Sequence, residues 1–303
     1  MIDLPTVLFV AFLTCPPIIL SSLGMNVCER AGEYNIGMEG VMLICATTTY
    51  VVALTTSNLV LSILVGPLLG VAFGIFLAVL QVRLGANQAF VGLGIFLVGA
   101  GIDPYIAHFL PEGLMGRAVA TLPRLEIIRE PYWYFILDQN VFVYISLAAI
   151  PVAWLLMNRT FFGLKMTATG ENPAGSDVVG IAVFKTKLIS LVVSCVLAGF
   201  AGGYFVYGIL GGWIVGITGG VGFLAIAVVR IGKWNPLLVG IYSVILSVLF
   251  SFQYLAQIVF GNIPGEFFLS MSYLISIVSV VLTNRFGKSA AGPAALGIPY
   301  KRE

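Results

Sequence analysis

Thr167–Ile181 reads TATGENPAGSDVVGI, a hydrophilic island between two hydrophobic runs at 140–158 and 188–210. Each run approaches or exceeds the roughly 20 apolar residues that a bilayer crossing requires. Lys165 precedes the island, and Lys185 and Lys187 follow it. Asn172 is a favourable helix N-cap and Pro173 suits the first helical position, so a short helix is expected over Pro173–Ile181. A chain of lipid-compatible helices has little use for such an insert unless something soluble docks there. The alternative is an ordinary solvated loop.

The rest of the chain is compatible with lipid throughout. Of 303 residues, 59% are hydrophobic and 9% charged, against about 25% charged in soluble domains. Runs at 4–26, 38–57, 59–83, 89–107, 140–158, 188–210, 214–231, 236–258 and 266–284 predict eight to ten crossings. Two runs are flawed: Pro16-Pro17 suggests a break or re-entrant turn, and Gly216, Gly219, Gly220 and Gly222 weaken the start of 214–231. The first run has neither a basic leader nor a cleavage site, so it is expected to stay in the protein.

Basic residues set the orientation. Placing 159–187 in the cytoplasm puts Arg83, Arg159, Lys165, Lys185, Lys187, Arg230, Lys233, Arg285, Lys288, Lys301 and Arg302 on that side. Only Arg117, Arg124 and Arg129 then fall outside, eleven against three. The expected order is a first repeat at about 29–107, an external segment 108–138, a cytoplasmic loop 159–187, a second repeat at about 211–284 and a cytoplasmic tail 285–303. The N-terminus comes out external. NIGMEGVMLICA (Asn35–Ala46) and TGGVGFLAIAVV (Thr218–Val229) each lead from an irregular start into an apolar helix followed by two further runs, in opposite senses. That is the pattern of inverted-topology repeats with discontinuous helices around a solute path. The fold class is therefore an all-α polytopic membrane protein.

Glu29, Arg30, Glu33 and Glu39 cluster around Asn35. A carboxylate at membrane depth costs about 2.5–3.5 kcal/mol on insertion scales and normally faces a cavity or a partner. Asn35 and Glu39 are read either as pathway groups or as a span end, and Glu29 and Arg30 as solvated. Asn87 and Gln88 suit a pathway or a short loop. Gln253 and Gln257, one turn apart, suit solute binding or helix packing. Phe200, Tyr204, Tyr207 and Trp213 read as an interfacial belt rather than a stacking surface. Gly66, Gly70 and Gly74 let helices approach closely.

Catalytic chemistry finds no support. His108 is the single histidine, which removes most metal and histidine mechanisms. Gly287-Lys288-Ser289 lacks the first glycine of a phosphate loop, since Leu282 stands in its place. Cys15, Cys28, Cys45 and Cys195 read as small core residues. The scattered basic residues leave no nucleic-acid footprint.

Four segments in order, ERAGEYNIGMEGVML, TGENPAGSDVVGI, GFLAIAVVRIGKWNP and GPAALGIPYKRE, resemble the permease subunits of ABC importers of the branched-chain amino-acid and ribose permease family. The likeness is closest to its simple-sugar and nucleoside branch and covers essentially the whole chain. It implies a type II importer-like fold working by alternating access. Gly170, Glu171, Asn172, Pro173, Ala174, Asp177, Gly180 and Ile181 would contact an ATP-binding subunit, which holds the ATP and Mg2+; no cofactor is expected in this chain. The implied partners are that subunit, a second homologous permease, an extracytoplasmic solute-binding lipoprotein and membrane lipid, in a prokaryotic plasma membrane. Nucleosides are the implied solute, with simple sugars or riboflavin as alternatives. An ion-coupled secondary transporter using Glu39 is the competing class. Two departures stand out: Glu33-Tyr34 replaces an expected apolar pair, and Gly175-Ser176 should fray the start of the coupling helix.

Overall fold

Pro16 and Pro17 do not interrupt the first helix. In the computed structural model, which describes residues 4–109, 117–125, 134–259, 264–286 and 292–300, α1 runs unbroken from Leu4 to Arg30. Pro17 has no N–H for the Leu13 carbonyl, and the Tyr204 hydroxyl donates to that oxygen instead at 3.2 Å. A neighbouring helix thus supplies what the proline removed. The stretch from Thr14 to Glu29 is buried, with α1 packed between the later helices.

The remaining helices follow as α2 Met38–Thr56, α3 Leu59–Ala78, α4 Gln88–Phe109, α5 Tyr134–Leu137, α6 Val141–Arg159, α7 Phe161–Glu171, α8 Pro173–Val178, α9 Val183–Tyr204, α10 Val221–Ile231, α11 Pro236–Val259 and α12 Gly265–Phe286. Wider π turns extend α3 over Val79–Arg83 and α9 over Phe205–Leu210. Among the described residues, six helices are long and apolar enough to cross a membrane, and α11 and α12 contribute apolar stretches Pro236–Phe252 and Phe267–Thr283. The run 214–231 is not a spanning helix. Gly216, Gly219 and Gly220 take positive φ values of 74°, 55° and 81°, so residues 211–220 are irregular. The 11 residues of α10 reach only about 16 Å at 1.5 Å per residue.

Gly66, Gly70 and Gly74 seat α3 directly on α9. A Cβ on Gly70 would lie 2.3 Å from the Cys195 carbonyl oxygen, and one on Gly74 would lie 2.5 Å from Val192 Cα. Gly70→Leu must therefore separate the two helices. Overpacking of this kind costs about 1–3 kcal/mol, read as a lowered tryptophan-fluorescence melting temperature of the purified protein. An unchanged melt would mean that α3 and α9 do not pack through this glycine.

The aromatic residues form an interior cluster, not a belt. Tyr204, Tyr207 and Trp213 are buried. Tyr204 stacks on Phe142 at 5.4 Å and accepts from Asn140 Nδ2 at 2.7 Å, while Trp213 stacks on Tyr50 at 5.7 Å. Segment 117–125 lies over the end of α9 remote from α8: Val119 N donates to Gly211 O and Leu122 N to Tyr207 O, both at 2.9 Å. The external and cytoplasmic segments expected from the sequence thus sit at opposite ends of α9. Arg129, Lys288, Lys301 and Arg302 lie outside the described residues.

Candidate functional site

The two irregular segments meet. Helix α10 has only Gly220 as N-cap and no side-chain cap of its own, so its first amides need an acceptor from elsewhere. Glu39, in the first turn of α2, supplies it. Its Oε1 accepts from Thr218 Oγ1 at 2.5 Å and Gly220 N at 2.9 Å, and its Oε2 from Gly222 N at 2.7 Å. The positive end of the α10 dipole also favours a carboxylate there. In the register of Asn35–Ala46 on Thr218–Val229, Glu39 stands opposite Gly222, and the two are in contact: a Cβ on Gly222 would lie 2.6 Å from Glu39 N.

Asp103 pins the other side of the same loop. This buried carboxylate of α4 accepts from Gly216 N at 2.6 Å and Trp213 Nε1 at 3.2 Å, and also from the Thr47 hydroxyl. Sequence reasoning passed over it. The available signal was a lone aspartate inside the apolar run 89–107, which by the argument applied to Glu39 demands a partner. Glu39 and Asp103 together satisfy irregular backbone that lipid could not.

The other pathway candidates scatter. Asn35 is buried, with Nδ2 donating to Ser194 Oγ at 3.0 Å and Oδ1 unpaired. Gln88 is buried nearby, its Oε1 accepting from Tyr34 N at 2.7 Å. Asn87 is a helix cap: its Oδ1 accepts from Ala89 N and Phe90 N at 3.0 and 3.2 Å. Gln253 and Gln257 belong to α11, but their side chains lie outside the described residues.

Beneath this junction lies the hydrophilic island, folded as an α7–α8 hairpin. Asn172 Oδ1 accepts from Gly175 N at 2.8 Å and Pro173 opens α8, which ends at Val178, three residues short of the expected Ile181. This cap keeps α8 helical through Gly175-Ser176, so the expected fraying is absent. The hairpin rests on the turn after α1. Gly170 is buried, and a Cβ there would lie 2.2 Å from the Arg30 carbonyl oxygen. Arg30 donates to Thr167 Oγ1 at 3.0 Å and Asn158 Oδ1 at 3.2 Å. The tail lies along the same seam: Ala295 N donates to Gly170 O at 2.9 Å, Gly297 N to Gly32 O at 3.3 Å and Ala294 N to Glu171 Oε2 at 3.3 Å.

Charges expected in solvent are buried here. Glu29 accepts from Trp234 Nε1 at 2.6 Å and lies 3.7 Å from Arg230 Nε; burial of the last turn of α1 against the end of α10 and the turn after it displaces the water assumed for it. Arg30 is only partly solvated, held by the two bonds above. Lys187 Nζ meets Glu33 Oε1 at 2.6 Å with both side chains inaccessible. Burial pushes the Glu33 carboxyl up, and the Lys187 ammonium offsets this only in part. Tyr34, the other residue of the departing pair, accepts through its hydroxyl from Arg230. Among the described residues no group of three or more His, Cys, Asp or Glu is placed to hold a metal.

The family model described as "Branched-chain amino acid transport system / permease component" matches residues 7–283. The chain is similar to the nucleoside ABC transporter permease NupC of Lactococcus lactis, with 31% identity over 94% of this chain and 93% of that protein. It is similar to the guanosine ABC transporter permease NupQ of Bacillus subtilis, with 27% identity over 94% and 92%. A putative glucose ABC transporter permease of Haloferax volcanii, TsgC13, shares 32% identity over 74% and 70%. The Lactococcus and Bacillus systems each hold a second, more distant match, NupB and NupP. No solved structure matches the chain. A polytopic helical bundle with interrupted helices meeting at buried carboxylates, matched over nearly its whole length, belongs to the family of branched-chain-type transport permeases.

Proposed function

We propose that this chain is one of two paired membrane permeases in an ATP-driven importer of nucleosides, with the α7–α8 hairpin as its drive point. The observation that carries this is the hairpin's outer surface. Val178 and Val179 are 87% and 74% exposed at the end of a polar hairpin whose inner side is bonded to the protein. An apolar pair this exposed at the end of a polar hairpin suits contact with another protein. Exposed Glu171, Asn172, Ala174 and Gly180 flank it, with Pro173, Asp177 and Ile181 half-buried. An ATP-binding subunit carrying ATP and Mg2+ would seat there.

The excess of basic residues favours the cytoplasmic side of a prokaryotic plasma membrane for this end and for the C-terminus. The paired permeases of the related systems favour a second homologous subunit, and solute would arrive from a lipoprotein receptor on the far side. The whole-length likeness to NupC and NupQ favours nucleosides over sugars. An ion-coupled carrier using Glu39 fits poorly, because both Glu39 oxygens already accept from protein donors.

The test is a double substitution, Val178→Asp with Val179→Asp. It is expected to reduce co-purification of the ATP-binding subunit at least tenfold while membrane insertion and melting temperature stay unchanged. Retention at the parental level would remove α8 as the docking element. Labelled-nucleoside uptake by vesicles holding all subunits, competed with sugars, identifies the solute class.

A further inference from the structure

The drive point and the Glu39 junction are far apart in sequence, so a push on α8 must cross a packed interface to reach α2 and α10. That interface is the turn Ala31–Asn35. On its lower side Gly170 packs against Gly32, and the tail bonds to both, through Ala295 N and Gly297 N. On its upper side Asn35 O accepts from Met38 N at 3.1 Å, where α2 begins, and Glu39 follows at once. Helix α10 is gripped at both ends by the turn and its flanks, its start by Glu39 of α2 and its end, through Arg230, by Tyr34 of the turn and Glu29 of α1. Arg230 also lies over the Tyr34 ring at 5.6 Å.

Two side-chain contacts fix this turn laterally to the helix that leaves the hairpin: Asn35 Nδ2 donates to Ser194 Oγ at 3.0 Å, and, nearer the hairpin, Lys187 of α9 meets Glu33, 2.6 Å apart, with relative exposures of 0% and 1%. A buried ion pair is a poor choice if stability is all that is needed, since well-packed apolar side chains do as well or better. What a short, desolvated pair supplies is a fixed distance and direction. We propose that Glu33 and Lys187 are positioning residues of transport, a strut that makes the Ala31–Asn35 turn follow the coupling hairpin and so carries its displacement to α2 and α10. The inference rests on the ATP-driven reading above.

A path of this kind needs coupling evidence rather than proximity. The assembled importer is reconstituted with its ATP-binding subunit, second permease and receptor, and solute imported per ATP hydrolysed is measured. In Glu33→Leu/Lys187→Met, which keeps the volume and removes both charges, we expect subunit attachment and ATP hydrolysis within twofold of the parent and import per ATP at least tenfold lower. An import-to-hydrolysis ratio equal to the parent's overturns the strut. So does loss of attachment and hydrolysis in proportion to import, which marks a merely structural pair. If the double variant does not insert, the isosteric Glu33→Gln decides, with a ratio at least fivefold lower in support and a parental ratio against. If the parent importer itself shows no ATP-dependent import, the proposed function fails, whatever the variants do.

Discussion

Glu39→Ala is expected to lower the melting temperature of the purified protein by about 6 °C or more. The substitution removes one acceptor and leaves the Thr218 hydroxyl and the Gly220 and Gly222 amides facing an apolar interior. Each buried donor left without a partner costs about 1–3 kcal/mol, so the three together cost roughly 3 kcal/mol or more. At roughly 2 °C per kcal/mol, the low end of the range for chains of about 150–250 residues, the shift is well outside measurement error. Glu39→Gln should fall between, because the amide keeps one oxygen but turns an N–H2 toward a donor. Tryptophan fluorescence during heating reads the effect directly, since Trp213 stands in the same loop. A melt within about 2 °C of the parent for Glu39→Ala would show that the α10 start is held by something else. This outcome also separates the two transport classes: a clasp weakens the fold, whereas an ion site leaves it intact and abolishes ion dependence.

The features legible from sequence are those settled by neighbours along the chain. Asn172 and Pro173 fix the start of α8 within three residues of themselves, and the spans follow from apolar runs that need no partner to be recognised. Gly66, Gly70 and Gly74 announce a close helix contact by spacing alone, though not that α9 is the other side. The ordered motifs gave the family. Three of the misreadings concern residues whose local rule is overridden from far away. Pro17 should break a helix, but Tyr204, 191 positions from Leu13, satisfies the carbonyl it frees. Lys187 counts as a basic flank until Glu33, 154 positions distant, buries it. Glu29 looks solvated because Trp234 is 205 positions away. Asp103 was legible in principle, since a carboxylate in an apolar run asks where its donors are. The sequence could pose that question for Asp103 and Glu39; only the packing of α2, α4 and loop 211–220 answers it.

Gly170→Val is expected to abolish solute import, by a hundredfold or more, in a protein that still inserts and still holds its ATP-binding subunit. A Cβ at this position would sit 2.2 Å from the Arg30 carbonyl oxygen and 3.1 Å from Gly32 N. Ordinary non-bonded contact needs about 3.5 Å, so the hairpin must move more than about 1 Å away from the turn. Neither side yields easily, because the Arg30 carbonyl belongs to the last turn of α1, whose preceding residues are buried on all sides. Lifting the hairpin also stretches the bonds from Ala295 N to Gly170 O and from Arg30 to Thr167. The outer face formed by Val178 and Val179 lies on the other side of the hairpin and is untouched. The ATP-binding subunit should therefore attach and hydrolyse ATP at near-parental rates while its motion no longer reaches α2. Val178→Asp with Val179→Asp produces the opposite pattern, losing attachment while the seam stays whole. Co-purification, ATP hydrolysis and import measured on both variants distinguish a broken handle from a broken seat. If Gly170→Val imports at the parental rate, the hairpin does not work through the Arg30–Gly32 turn, and the force must enter the bundle elsewhere along α9.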